Sequence, residues 1–267
     1  MKISVIINSF NQAKTLERTI DSVVNQSASK EVILVDAGST DGSKDIIKNY
    51  FKQIDLYIDA TGFDRGQSHA LNLGIRNSTG QLSCWINSDD WFYPGALEAV
   101  LNHFSENPDS VWAIARCDLY NESTGQVFST RNVNHVDPGV VIEYGSQFWI
   151  PQQSTFWKTK FFHDCGGLNL HDHVTMDVDL FTRFTFAKTP TYIDFTTSSY
   201  SFHDESKGAV FRKESFASQN LLRYKFGLLA DTVWLENKWN PANIPIHVNR
   251  ALKADSVRWI ETLIKKK

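Results

Sequence analysis

The first hundred residues alternate between two apolar rhythms, and that alternation restricts the fold more than any other feature of the chain. Short β-branched runs, Ile3-Ser-Val-Ile-Ile7, Glu31-Val-Ile-Leu-Val35, Leu56-Tyr-Ile58 and Leu82-Ser-Cys-Trp-Ile86, read as buried strands. Leu16, Ile20, Val23 and Val24 fall at helical spacing and predict a helix over about residues 12–25. Ile46, Ile47, Tyr50, Phe51 and Ile54 mark a second helix, and Ala70, Leu71, Gly74 and Ile75 a third. Pro94, suited to a first helical turn, opens a fourth with Leu97, Val100, Leu101 and Phe104 facing inward. This order predicts an α/β fold, a Rossmann-like, mainly parallel sheet with helices on both faces. Ligands of such sheets bind beyond the carboxyl ends of the strands, where the strand order switches. Polar residues gather at those ends: Asn8 and Ser9, Asp36, and Asn87-Ser-Asp-Asp90.

After about residue 110 the rhythm changes to a mixed region. Residues 111–116 and 125–131 read as paired strands around the turn-rich Asn121-Glu-Ser-Thr-Gly125, and Thr191 to Phe202 alternates as an edge strand does. Residues 138–144 suggest a short helix or loop. The C-terminal quarter reads as helices with loops, a Pro/Asn linker at 240–245, and an amphipathic helix over 251–267 that ends in three lysines. The division expected is a unit of residues 1–207, with halves 1–105 and 106–207, and a helical extension over 208–267.

Composition narrows the partners. Cys84, Cys117 and Cys165 lie far apart without a CxxC pair, which disfavours a disulfide framework or structural zinc and fits a reducing cytosol. A net charge of -3 supplies no global positive field, so nucleic acid is not expected as a partner. No run reaches the ~18 apolar residues of a membrane-spanning helix, and the run after Met1 stops at Asn8, too early for a leader peptide. A cytoplasmic protein is expected. The basic terminal helix either packs on its own domain or lies on an anionic inner leaflet, where each Lys contributes ~1 kcal/mol.

The segment Trp85-Ile-Asn-Ser-Asp-Asp-Trp91 carries the most chemistry. Adjacent carboxylates just past a buried strand repel one another unless a cation or water screens them. Mg²⁺ or Mn²⁺ resolves that cost, binding through one or two carboxylates together with substrate phosphates. A solvated turn with an Asp at a helix N-cap is the competing reading. Asp36 with Gly38-Ser-Thr-Asp-Gly42 offers either backbone N–H groups to an anion or an ordinary capped turn. Asp64-Arg65-Gly66-Gln67 adds a cation before the third helix. Trp91 beside the carboxylates packs either on a ligand or in the core.

Taken in order, these segments, with Ala70-Leu-Asn-Leu-Gly74 behind the third, resemble family 2 glycosyltransferases of the GT-A fold, strongly over about residues 1–105 and more thinly to about 207. The resemblance implies a nucleotide-sugar donor, a UDP- or GDP-sugar, held across the strand ends. Asn8 and Ser9 would line the nucleotide pocket, Asp36 would bond the base or ribose, and Asp64 and Arg65 would complete the site. Asn87, Ser88 and Asp89 would flank the donor, with Asp89 the metal-binding aspartate and Asp90 its acidic neighbour. The chain departs from the family pattern in placing Asn87 at the first acidic position and Ala37 after Asp36.

Thr175-Met-Asp-Val-Asp-Leu-Phe-Thr-Arg183 is similar to the family's acidic segment and puts Asp177 in the place of the general base, with helix capping as its alternative; Asp179, two residues on, points elsewhere. Tyr200-Ser-Phe-His-Asp-Glu-Ser-Lys207 resembles a later segment of the family, which implies His203 as a third metal ligand or a diphosphate contact and Lys207 as a neutraliser of phosphate charge. Trp149-Ile-Pro-Gln-Gln-Ser-Thr-Phe-Trp157 matches an acceptor-side strand in which Gln152, Gln153 and Trp157 would bond and stack on a saccharide or lipid-linked acceptor. The implied reaction is a single displacement with inversion, helped by Mn²⁺ or Mg²⁺. A nucleotidyltransferase on the same half-fold lacks the Gly-rich, basic loop it would need at Asn8-Ser-Phe-Asn-Gln12. A receiver-like signalling module would be about half this length.

Overall fold

The computed structural model of the chain describes residues 1–137, 150–172 and 174–203. Lys207, residues 138–149 (Trp149 among them), His173 and the 208–267 extension with its basic helix lie outside the described residues. The apolar runs become strands β1 (Ile3–Ser9), β2 (Lys30–Asp36), β3 (Leu56–Asp59) and β4 (Leu82–Asn87). Between them stand α1 (Leu16–Val24), α2 (Ser43–Asn49) and α3 (Gln67–Arg76). The four strands are parallel in the order β3-β2-β1-β4. A strand of a parallel sheet is covered on both faces, so it carries apolar residues without alternation; Val5, Ile6, Ile7 and Val32 to Val35 are all buried. Gly74 allows α3 to press onto β1, since a Cβ there would lie 2.6 Å from Ile6 Cγ2.

The second half continues the same sheet: β5 (Trp91–Phe92), α4 (Ala96–Glu106), β6 (Trp112–Asn121), β7 (Gln126–Arg131), a 3₁₀ turn (Gln152–Ser154), β8 (Thr155–Lys158), α5 (Thr159–Asp164), α6 (Met176–Ala187) and β9 (Thr191–Phe202). β8 is antiparallel to both β4 and β6 and joins the two halves, while β7 folds back on β6 as the expected hairpin.

Three expectations change. β9 is not a free edge: β6 runs parallel along it, and β5 covers its far side where Trp91 faces Ser199 and Phe92 faces Ser198. α1 starts at Leu16, because Thr15 and Leu16 donate to Gln12 O and close a turn first. α2 stops at Asn49, leaving Tyr50, Phe51 and Ile54 beyond it. Among the described residues no helix is long and apolar enough to cross a membrane. The three cysteines are buried and free.

Candidate active site

The β1–β2–β4 register lines up the strand ends, with Asn8 between Val35 and Asn87 and Ser9 beside Asp36. Asn8 Oδ1 and Ser9 Oγ are buried there without a hydrogen-bond partner. As successive strand residues they point to opposite faces of the sheet, and each atom is closed off by the chain around it.

The loops around that floor are self-satisfied. Asp36 is fully buried; its Oδ1 accepts Gly38 N at 3.0 Å and Ser39 N at 2.9 Å, and Oδ2 accepts Ser39 Oγ at 2.6 Å. This turn needs Gly38 at φ +96°, the left-handed region that glycine tolerates. Thr40 N donates to Asn11 Oδ1, so the N–H groups expected to meet an anion are turned onto the chain instead. Asp36 shapes the pocket wall rather than reaching into it. Asp64 likewise caps Gly66 N at 2.8 Å and lies 3.3 Å from His69 Nδ1, while Arg65 is exposed. Gln67, the first residue of α3, ties this loop to β4 by donating to Asn87 Oδ1 at 2.8 Å.

Past β4 the neighbouring carboxylates part company. Asp89 keeps 19% side-chain exposure, and its Oδ2 lies 3.0 Å from Nε2 of His203, itself 20% exposed and 114 residues away in the chain. Asp90 is fully buried and faces the other way. Its Oδ1 accepts the N–H of Ser201 at 2.8 Å, and Oδ2 faces Asn87 Nδ2 at 3.3 Å. Burial, and then the Asp89 charge, push the Asp90 carboxyl well above the usual carboxylate range. The expected second metal ligand is thus a brace between the β4 end and β9, because a carboxylate with no exposed surface has no face left for an ion. Ser88, just before Asp89, is buried. Among the described residues no three His, Cys, Asp or Glu side chains gather as a metal cage. Asp89 and His203 alone offer one oxygen and one nitrogen. Carboxylate suits Mg²⁺ and Mn²⁺, and imidazole leans towards the transition metal, so this donor pair fits Mn²⁺ with its other positions filled by phosphate and water.

The profile of the family described as "Glycosyl transferase family 2" matches residues 4–174. The chain belongs to that family. An uncharacterized glycosyltransferase of Nostoc sp. is 32% identical over 160 residues, covering 58% of this chain and 49% of that one. The chain therefore spans about half the length of that relative. S. aureus TarS 1–349 in complex with UDP aligns with a TM-score of 0.62 at 18% identity, over 91% of this chain and 74% of that chain. Mannosyltransferase PcManGT from Pyrobaculum calidifontis in complex with GDP-Man and Mn²⁺ gives 0.60 at 16% identity, over 95% and 68%. These likenesses establish the GT-A fold.

Against the family pattern, the acceptor-side expectations fail. Trp157 is fully buried, with ring centroids 5.2 Å from Trp85 and 5.9 Å from both Phe162 and Phe184. It is core, and no sugar can stack on it. Gln152 is buried too, donating to Trp85 O at 2.7 Å while accepting from Asn87 Nδ2 at 3.1 Å. Gln153 is 2% exposed with Nε2 unpartnered. Asp179 is no solvent residue either: at 1% exposure it pairs with Arg183 at 2.6 Å. Asp177 is half-buried at the start of α6, accepting Val178 N at 2.9 Å.

Asn87 explains its own departure from the pattern. Its amide donates to two acceptors, Asp90 Oδ2 and Gln152 Oε1, and accepts from Gln67. Asn87→Asp, which restores the family's acidic position, strands both acceptors and sets a charge against Asp90. Melting of this variant is expected to report a loss of about 2 kcal/mol with no gain in Mn²⁺ affinity; a tighter Mn²⁺ site would contradict this account.

The residues missed in the sequence are Arg18 and Glu122. Arg18 Nη2 donates to Asp89 O at 3.0 Å and to the Glu122 carboxylate, and its guanidinium carbon lies 3.9 Å over the Trp91 ring. Trp91 therefore packs on Arg18, with Tyr120 edge-on at 4.9 Å. Nothing in the helical stripe of α1 singles Arg18 out.

Proposed function

We propose that this chain transfers a glycosyl group from a nucleoside diphosphate sugar, a UDP- or GDP-sugar, to a hydroxyl of a saccharide or lipid-linked acceptor, with inversion and with residues 1–207 as the catalytic unit. The observation that carries this reading is the meeting of Asp89 and His203 at 3.0 Å just past the end of β4. Structural neighbours in complex with UDP, with UDP-GlcNAc, and with GDP-Man and Mn²⁺ support the donor class.

Asn8 and Ser9 end β1 beside Asn87 and Asp36 and line the nucleotide side of the strand ends, with the Asp36 turn and the Asp64 loop around them. Asp89 and His203 would hold a divalent cation, which when bound stabilises the charge on the departing diphosphate. Asp177 takes the proton from the attacking hydroxyl. Asn87, Asp90 and Gln152 do no chemistry and keep the Asp89 loop in register with β9.

Melting of the wild-type chain with Mn²⁺ and a panel of nucleotide-sugars tests this. A rise with one UDP- or GDP-sugar is expected, and Asp89→Asn is expected to weaken its Mn²⁺-dependent binding about tenfold, or about 1.4 kcal/mol. No response to any nucleoside diphosphate sugar would remove the reading.

A further inference from the structure

One face of α1 runs as a rail beneath the segment that carries Asp89. Arg18 Nη2 donates to Asp89 O, Thr19 Oγ1 to Asp90 O at 2.7 Å, and Gln26 Nε2 to Tyr93 O at 2.9 Å, while Ser22 Oγ accepts from Phe92 N at 3.1 Å. Positions 18, 19 and 22 share a face of α1 because helical side chains three and four apart are neighbours, and Gln26 follows just past its end. Thr19, Ser22 and Gln26 bond the main chain of residues 90–93. Arg18 does more, because it reaches the strand that carries His203 as well.

That reach passes through Glu122. The Glu122 carboxylate accepts from Arg18 and from Ser201 Oγ, and its N–H donates to Phe202 O at 3.1 Å. The last two residues of β9 before His203 are therefore fastened to Glu122, and Glu122 is fastened to Arg18. Burial works against a charge on Glu122, yet the bonds from Arg18 and Ser201 more than offset it and hold the carboxyl below its usual range. Trp91 lies flat against the other side of the guanidinium. Both bonds leave the single nitrogen Nη2, so it is the reach of the guanidinium and its seat over the indole, not its number of donors, that an ammonium on the four-carbon lysine stem would not reproduce.

We propose that Arg18 is a positioning residue that sets the distance between Asp89 and His203, clamping the Asp89 main chain to the end of β9 through Glu122 and thereby setting the affinity of the pair for a divalent cation. This inference rests on the reading of Asp89 and His203 as the cation site. Arg18 reaches the Asp89 side through a main-chain oxygen and the β9 side through the Glu122 carboxylate.

Direct titration of the full chain with Mn²⁺ alone, followed by the paramagnetic resonance signal of the free ion, tests the clamp without any turnover. Arg18→Ala is expected to weaken Mn²⁺ binding about tenfold while far-ultraviolet dichroism stays that of wild type, since the Arg18 side chain is 36% exposed and outside the core. Arg18→Lys is expected to recover only part of this loss, and Glu122→Gln to weaken Mn²⁺ binding in the same direction. Asp89→Asn runs alongside. If Asp89→Asn weakens Mn²⁺ binding and both Arg18 variants bind as wild type does, the clamp is wrong and the site stands. If Asp89→Asn binds Mn²⁺ unchanged, or wild type binds none, the site reading fails and the clamp falls with it.

Discussion

Trp157→Ala is expected to lower stability by about 3–5 kcal/mol, the cost of removing a large aromatic from a packed core. For a chain of this size that corresponds to a melting temperature lower by roughly 10 °C. The indole sits where β8 joins the two halves of the sheet, against Trp85 of β4 and against Phe162, Phe181 and Phe184. Removing it opens a cavity between the parallel half and α6, and neighbours that are themselves large rings cannot collapse into it. The indole N–H is buried with no acceptor, so nothing polar is lost with it. Trp157→Phe is therefore expected to retain most of the stability. Acceptor KM, measured well below the melting transition, is expected to stay within about twofold of wild type in the Phe variant, a change worth under ~0.5 kcal/mol. An Ala variant that melts normally and raises acceptor KM would return Trp157 to the acceptor site.

The case of Trp157 shows where reading the sequence works and where it stops. The parallel half was legible because strands buried on both faces must carry unbroken β-branched runs, and Ile3 to Ile7 and Val32 to Val35 do. Its strand ends were legible because polar residues there have no role in packing, and Asn8, Ser9, Asp36, Asn87 and Asp89 all lie there. What a side chain does at such an end was less legible. Asp89 and Asp90 are chemically identical neighbours, but one faces His203 and the other Ser201, and only the path of β9 decides which. Asp36 reads as a ligand-binding carboxylate and is occupied by its own turn. Arg18 was invisible because its partners lie 71 and 104 residues away and leave no periodic mark. The alternation of β9 suggested an edge because β5, which covers it, is only two residues long.

Asp177→Asn is expected to lower kcat by 10²- to 10⁴-fold, the range for losing a general base, while leaving donor binding and melting near wild type. The carboxylate belongs to the second residue of α6. It remains half-buried, with a lateral bond from Val178 N that fixes its rotamer. The other acidic residue of that turn cannot substitute, since Asp179 is 1% exposed and gives one oxygen to both Nε and Nη2 of Arg183. An Asn side chain keeps the shape and the lateral bond but cannot take up the hydroxyl proton, so the effect should fall on kcat and not on the KM for the donor. A variant that keeps more than about a tenth of the wild-type kcat, a barrier change under ~1.4 kcal/mol, would place the proton acceptor elsewhere. Asp177 would then be the helix cap that its sequence position equally allows.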